Sequence, residues 1–191
     1  MPIDQLLIDD SIVYSKEKIS AAKKTLCPHI FSVSEFLYQP LLDKFLIYLS
    51  SYENWKSAEP PLPGRQLLNW EFDTVVEEVH ICMESITSDV NSLLLTNHNK
   101  FLGLNIWKDV YPYKIEEHTD NPVIGTSLQI YLNNCDANLA TNFSYNGEHI
   151  SLPYKSNSGY IMNNDFRVTH WMTTPLPENF NRYSLYAIWK S

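Results

Sequence analysis

A chain of 191 residues with 44% apolar and 13% aromatic content has the material for one domain with a sizeable core, and its aromatics run along the whole length rather than leaving a long polar tail. With a net charge of −8 and only three arginines, Arg65, Arg167 and Arg182, it lacks the basic stripe that grips a nucleic-acid backbone. Cys27, Cys82 and Cys135 are odd in number and share no C-x-x-C spacing, which suggests neither a disulfide framework nor a zinc knuckle and leaves buried free thiols as the expectation.

Residues 1–30 read as a lead-in with a helix over 15–24, its lysines solvated, ended by the Cys27-Pro28 break. The N-terminus carries no basic stretch ahead of an apolar run, and no apolar segment approaches eighteen residues, so a cytoplasmic location without membrane contact is expected. Ser34-Glu35-Phe36-Leu37 opens a second helix, in which Leu37, Leu41, Leu42, Phe45, Leu46 and Leu49 recur at three- and four-residue spacing and predict a stripe packed on a sheet. Glu59-Pro60-Pro61-Leu62-Pro63-Gly64 reads as a rigid extended linker, too short to separate domains. Over 73–95, apolar positions from Val75 to Leu94 predict one long amphipathic helix, with Glu71, Asp73, Glu77 and Glu78 near its positive end. The polar run Asn97-His98-Asn99-Lys100 ends it.

After Lys100 the chain turns to β-branched and aromatic runs separated by turn residues. Strands are predicted over 102–107, 115–118, 127–132, 141–145, 158–163, 168–170 and 183–189, with Tyr145-Asn146-Gly147-Glu148 as a hairpin turn. Seven short strands after a helical half suggest a sandwich or jelly roll. The expected organisation is a single domain over 1–191, mainly helical support over 1–100 and a β core over 101–191. There is no internal repeat.

Chemistry concentrates in the β half. His118 and Asp120, two residues apart on a strand, point to the same side while Thr119 turns away. If a second strand brings His170 alongside, two imidazoles and one carboxylate form an incomplete shell with open positions, the arrangement associated with non-haem Fe(II) sites. Arg182 follows twelve residues later, far enough for a turn and a return strand to set a planar cation beside the metal. His29, His80, His98 and His149 lack a partner at ligand spacing and read as ordinary histidines.

The joint pattern H-x-D, a distant His and an Arg about ten residues on resembles the 2-oxoglutarate and Fe(II)-dependent oxygenases. His118-Thr119-Asp120-Asn121-Pro122, Ile130-Tyr131-Leu132-Asn133 and Arg182-Tyr183-Ser184-Leu185 are similar to the prolyl-hydroxylase-type branch, over roughly residues 100–190. The R-x-S pair also occurs in the family's plant small-molecule enzymes. One departure is Asn138-Leu139-Ala140-Thr141, which keeps the threonine of that branch's Gly-Gly-x-Thr turn but not its glycines. Members that repair alkylated bases carry a second Arg shortly after the first, and none follows Arg182 here, so nucleic acid is not expected as substrate.

The resemblance implies a double-stranded β-helix, or jelly roll, mainly β and buttressed by the N-terminal helices. It implies Fe(II) held by His118, Asp120 and His170, 2-oxoglutarate as cosubstrate, and ascorbate as an accessory reductant. Arg182 would hold the distal carboxylate of 2-oxoglutarate, with Ser184 and Tyr186 on the same strand face and Tyr131 at the Y-L-N position. The expected reaction is hydroxylation of a C–H bond of a peptide or protein side chain or an amino acid, with release of succinate and CO2. A small-metabolite oxygenase of the same superfamily and a non-catalytic cupin-like binding module are the alternatives. Trp107, Tyr113, Thr141 and Arg167 are the candidate substrate residues, on or near the mouth-framing segments 105–117 and 139–154. Arg167, three residues before His170, should face the other way and form a surface or mouth ion pair. The sequence does not indicate an oligomeric state.

Overall fold

The computed structural model describes residues 4–25, 27–58, 62–70, 74–97, 100–135 and 138–190. Glu59, Pro60 and Pro61, the acidic pair Glu71 and Asp73, and His98 lie outside them. Helix α1 (Gln5–Ser20) starts about ten residues earlier than the sequence pattern predicts, capped by Asp4, whose carboxylate accepts the Leu7 amide at 3.2 Å. Lys23 and Lys24 are not helical; they form β1 (Lys23–Lys24), paired with β2 (Ile30–Ser34). Helix α2 (Gln39–Ser51) begins after, not within, Ser34–Leu37. Glu35 is left-handed there (φ 50), and Asn157 binds the amide and carbonyl of Leu37 at 2.8 Å each, so those backbone groups are committed outside a helix. The expected stripe of Leu41, Leu42, Phe45 and Leu49 is buried.

On either side of the Pro-rich segment, whose Glu59, Pro60 and Pro61 lie outside the described residues, β3 (Trp55–Ser57) and β4 (Arg65–Leu68) pair antiparallel. Gly64 adopts φ +80, and a Cβ on it would run into the Val110 carbonyl and come within 2.7 Å of the Tyr113 amide. Only glycine fits there, and its carbonyl accepts the Val110 amide at 2.7 Å. The predicted long helix is two, α3 (Thr74–Ser85) and α4 (Thr87–Leu94). At the break the Thr87 hydroxyl bonds back to the Glu84 carbonyl at 2.6 Å and accepts the Trp189 indole N–H at 2.9 Å. Among the described residues no helix is long and apolar enough to cross a membrane.

Eight further strands follow: β5 (Lys100–Asp109), β6 (Ile115–His118), β7 (Thr126–Tyr131), β8 (Ala140–Tyr145), β9 (Glu148–Pro153), β10 (Ser158–Asn163), β11 (Val168–Met172) and β12 (Arg182–Lys190). Strand β9, which the sequence pattern did not flag, pairs with β8 across Asn146-Gly147, both at positive φ as a tight hairpin requires. The strands form an eight-stranded sheet, ordered β1-β2-β10-β7-β12-β5-β4-β3, and a four-stranded sheet, ordered β6-β11-β8-β9, all antiparallel. This is a jelly roll with helices against one sheet, and the first hundred residues contribute strands as well as helices.

Strand alternation divides the interior in two. Leu128 and Ile130 of β7 and Leu185 and Ala187 of β12 pack against the helices together with Phe45, Val79 and Ile86. The opposite faces of the same strands carry Gln129, Tyr131, Arg182, Ser184 and Tyr186 into the space between the sheets. There a second cluster, including Tyr131, Phe143, Tyr160 and Met172, closes the roll. Polar side chains on the inner face of a sheet are costly unless used. Cys27 and Cys82 are buried free thiols and Cys135 is half-buried.

Candidate metal centre

His118 ends β6 and His170 lies directly opposite it on β11, so their rings lie with centroids 4.2 Å apart. Asp120, in the loop two residues beyond His118, brings Oδ1 to 3.7 Å from Nε2 of each imidazole, while Thr119 between them is exposed. One donor atom from each of the three residues lies within 4.8 Å of the others, close enough for a single ion. His118 Nδ1 is 2.9 Å from the Glu116 carbonyl. A carbonyl only accepts, so Nδ1 is the donor of this contact and Nε2 is the nitrogen turned to a metal. Burial pushes the His170 pKa down to about 4, against the pull of the Asp120 carboxylate, which keeps this ring neutral and able to ligate near neutral pH. Its Nδ1 is buried without a hydrogen-bond partner among the described residues. On the other side of the carboxylate, the Tyr186 hydroxyl donates to Asp120 Oδ2 at 3.0 Å.

The three residues open onto a cavity of about 190 Å³ between the sheets. Arg182 reaches it from the start of β12, with Tyr186 four residues along on the same face. Arg182 is not a free cation. Asp109, its cross-strand neighbour on β5, accepts its Nε at 3.1 Å and one Nη at 2.7 Å, and the other Nη points at the Met172 sulfur at 3.0 Å. Asp109 is also in register with Arg65 on β4, whose Nε and Nη2 donate to it at 2.7 and 3.0 Å. Burial would raise the Asp109 pKa, but Arg182 and then Arg65 outweigh it and hold the carboxyl below its ordinary range. Burial likewise opposes the charge on the two guanidinium groups, and Asp109 holds both above theirs. Two cations thus share one anion at the inner wall.

The other residues singled out by sequence are distributed as follows. Trp107, Tyr113 and Thr141 line the cavity. Tyr131 is fully buried behind it, its hydroxyl in contact with that of Thr141. Ser184 is fully buried between Arg182 and Tyr186, and its hydroxyl has no partner among the described residues. Tyr186 directs its hydroxyl to the metal-side carboxylate. Arg167 is outside the cavity, in a two-pronged pair with Asp165 at 2.9 and 2.6 Å. Among the lining residues that the sequence did not mark are Arg65, Gln129, Tyr160 and Met172, with Asp109 behind them. The scarcity of arginine could have pointed to Arg65. Nothing local pointed to Asp109.

No family model matches the sequence and no curated protein matches it. Solved structures do. A prolyl-4-hydroxylase from Pseudomonas putida superimposes with a TM-score of 0.70 at 14% identity, covering 92% of this chain and 98% of that one. A prolyl hydroxylase from Trichoplax adhaerens, solved with a peptide fragment of the hypoxia-inducible factor oxygen degradation domain, gives 0.68 at 11% identity over 98% and 93%. An oxidoreductase of the 2OG-Fe(II) oxygenase family from Burkholderia pseudomallei gives 0.65 at 11% identity over 100% and 93%. The chain therefore has the jelly-roll fold of the 2-oxoglutarate and Fe(II)-dependent oxygenases, prolyl hydroxylases among them.

Proposed function

We propose that this protein is a 2-oxoglutarate and Fe(II)-dependent hydroxylase acting on a C–H bond of a peptide or protein side chain or an amino acid. The observation that carries the reading is that one cavity holds His118 and His170 from the four-stranded sheet, Asp120 from the loop after β6, and Arg182 from the other sheet. Two imidazoles and a carboxylate are the donor set that suits Fe(II) with positions left open. When bound, iron and 2-oxoglutarate supply the oxidising chemistry, the cosubstrate leaving as succinate and CO2, with ascorbate as accessory reductant.

The protein's own work is binding, orientation and exclusion of water. His118, Asp120 and His170 would hold the ion, and Tyr186 fixes the outer oxygen of Asp120. Arg182 would take the distal carboxylate. Its Nη beside Met172 donates to a thioether, a weak acceptor, and a carboxylate would be a far better partner. Ser184 remains a candidate for the same end because its buried hydroxyl lacks a partner among the described residues. Tyr131 would act through Thr141 rather than by lining the cavity.

The cavity's size favours substrate presented from outside. At about 190 Å³ it is smaller than the roughly 300–1,000 Å³ of pockets that enclose drug-sized ligands, and cosubstrate would fill much of it. A side chain inserted from outside fits that limit better than a wholly engulfed metabolite. The structural neighbour from Trichoplax binds a peptide, which supports the same class. The test is succinate formation from 2-oxoglutarate with Fe(II) and ascorbate, alone and with peptides, free amino acids or oligonucleotides. Stimulation by peptides or amino acids, prolyl ones first, is expected. Stimulation by oligonucleotides alone would overturn the substrate class, and no turnover with any of them would overturn the activity.

A further inference from the structure

We infer that Arg65 is a second cation of the cosubstrate subsite, and that Arg65, Asp109 and Arg182 act as one charge-sharing unit whose surplus of a single positive charge selects a cosubstrate with a distal carboxylate. The inference rests on the proposed 2-oxoglutarate reading and adds to it two residues outside the H-x-D, His and Arg pattern. Arg65, Asp109 and Arg182 are in-register neighbours on β4, β5 and β12. Asp109 is completely buried, and its Oδ2 accepts from both guanidinium groups. Arg65 and Arg182 both line the cavity.

If Arg182 stood alone with Asp109, the pair would be neutral. An entering carboxylate would then compete with a buried carboxylate already bonded to the same guanidinium, and no cation would remain to balance it. Arg65 changes that sum. Two guanidinium groups against one carboxylate leave one positive charge in a site shielded from water, where charge balance weighs heavily. The unit is also rigid. The Arg65 guanidinium lies over Tyr113 at 4.3 Å and Trp107 at 4.8 Å, and that of Arg182 over Tyr113 at 5.1 Å. The clamp thus stands ready before a ligand arrives.

The experiment is titration calorimetry of the Mn(II)-loaded protein with 2-oxoglutarate and with 2-oxopentanoate, which has a methyl group in place of the distal carboxylate. Variants Arg65→Gln, Arg65→Lys and the double variant Arg65→Gln/Asp109→Asn are compared with wild type, with circular dichroism to verify folding. Arg65→Gln should weaken 2-oxoglutarate binding about thirtyfold or more, the lower end expected for loss of a buried charge partner, and leave 2-oxopentanoate unchanged. Arg65→Lys should lose less. The double variant, which frees Arg182 and restores the surplus charge, should bind 2-oxoglutarate more tightly than Arg65→Gln does, although it departs further from the native packing. Equal binding by wild type and Arg65→Gln, or no recovery in the double variant, overturns the inference and leaves the proposed activity standing. Failure of the wild-type protein itself to bind 2-oxoglutarate removes the activity reading and this inference with it.

Discussion

The Tyr186 hydroxyl donates to Asp120 Oδ2 at 3.0 Å while Asp120 Oδ1 faces the two imidazoles, so a side chain from the eight-stranded sheet orients a carboxylate in the loop after β6 of the other. Loss of such an outer partner typically weakens metal affinity by about 10–100-fold. Tyr186→Phe should show a loss of that size in a Mn(II) or Fe(II) titration with the fold intact. His118→Ala and Asp120→Ala should abolish binding. Wild-type metal affinity in Tyr186→Phe would mean that the hydroxyl does not orient the ligand.

Arg182→Ala should raise the 2-oxoglutarate concentration needed for turnover far more than it changes metal affinity. A lost charge partner in a buried site costs on the order of 2–5 kcal/mol. Lysine should restore only part, because a point charge cannot engage Asp109 and a ligand at once as a planar fork does. Steady-state kinetics at varied 2-oxoglutarate, paired with metal titration, separates the two effects.

Gly64→Ala should destabilise the protein by more than about 1 kcal/mol, since alanine disfavours φ +80 and its methyl group would press on the Val110 carbonyl. Because Gly64 immediately precedes Arg65, cosubstrate binding should weaken as well. Urea denaturation and 2-oxoglutarate titration of the same variant check both effects, and wild-type stability would show that the hairpin can move away from Val110.

The depressed pKa of Asp109 makes a prediction about acid. Its carboxylate form is stabilised by folding, so the contribution is fully present above the unfolded value of about 4 and is lost as pH falls through the lower folded value. The stability gap between wild type and Asp109→Asn should therefore be constant above about pH 5 and shrink below about pH 4. Melts of both proteins from neutral to acidic pH measure it. A gap that stays constant to low pH would mean that Asp109 is not held ionised by the arginines.

The sequence by itself determined what depends on neighbours along the chain. Period-two spacing marked His118 and Asp120 as a same-side pair, which the structure sets at the end of β6 and in the loop just after it, the apolar stripe marked the buried face of α2, Asn146-Gly147 marked a hairpin, and the β-rich half predicted a jelly roll. Each of these is a local rule that needs no knowledge of which strands pair. Local rules failed where distant groups intervene: Asn157 keeps Phe36 and Leu37 out of a helix from the far end of the chain, and Trp189 meets Thr87 where α3 gives way to α4. The hairpin of β3 and β4 was hidden for a similar reason, since these short strands show little alternation and β4 is held by pairing with β5, far along the chain, while β3 pairs only with β4 among the described strands. Only the tertiary structure decided that Asp109 lies between Arg65 and Arg182. They are separated by 44 and 73 positions in the chain, and what joins them is the lateral order and register of three strands, which follow from burying both faces of the sheet at once rather than from any spacing a motif can carry.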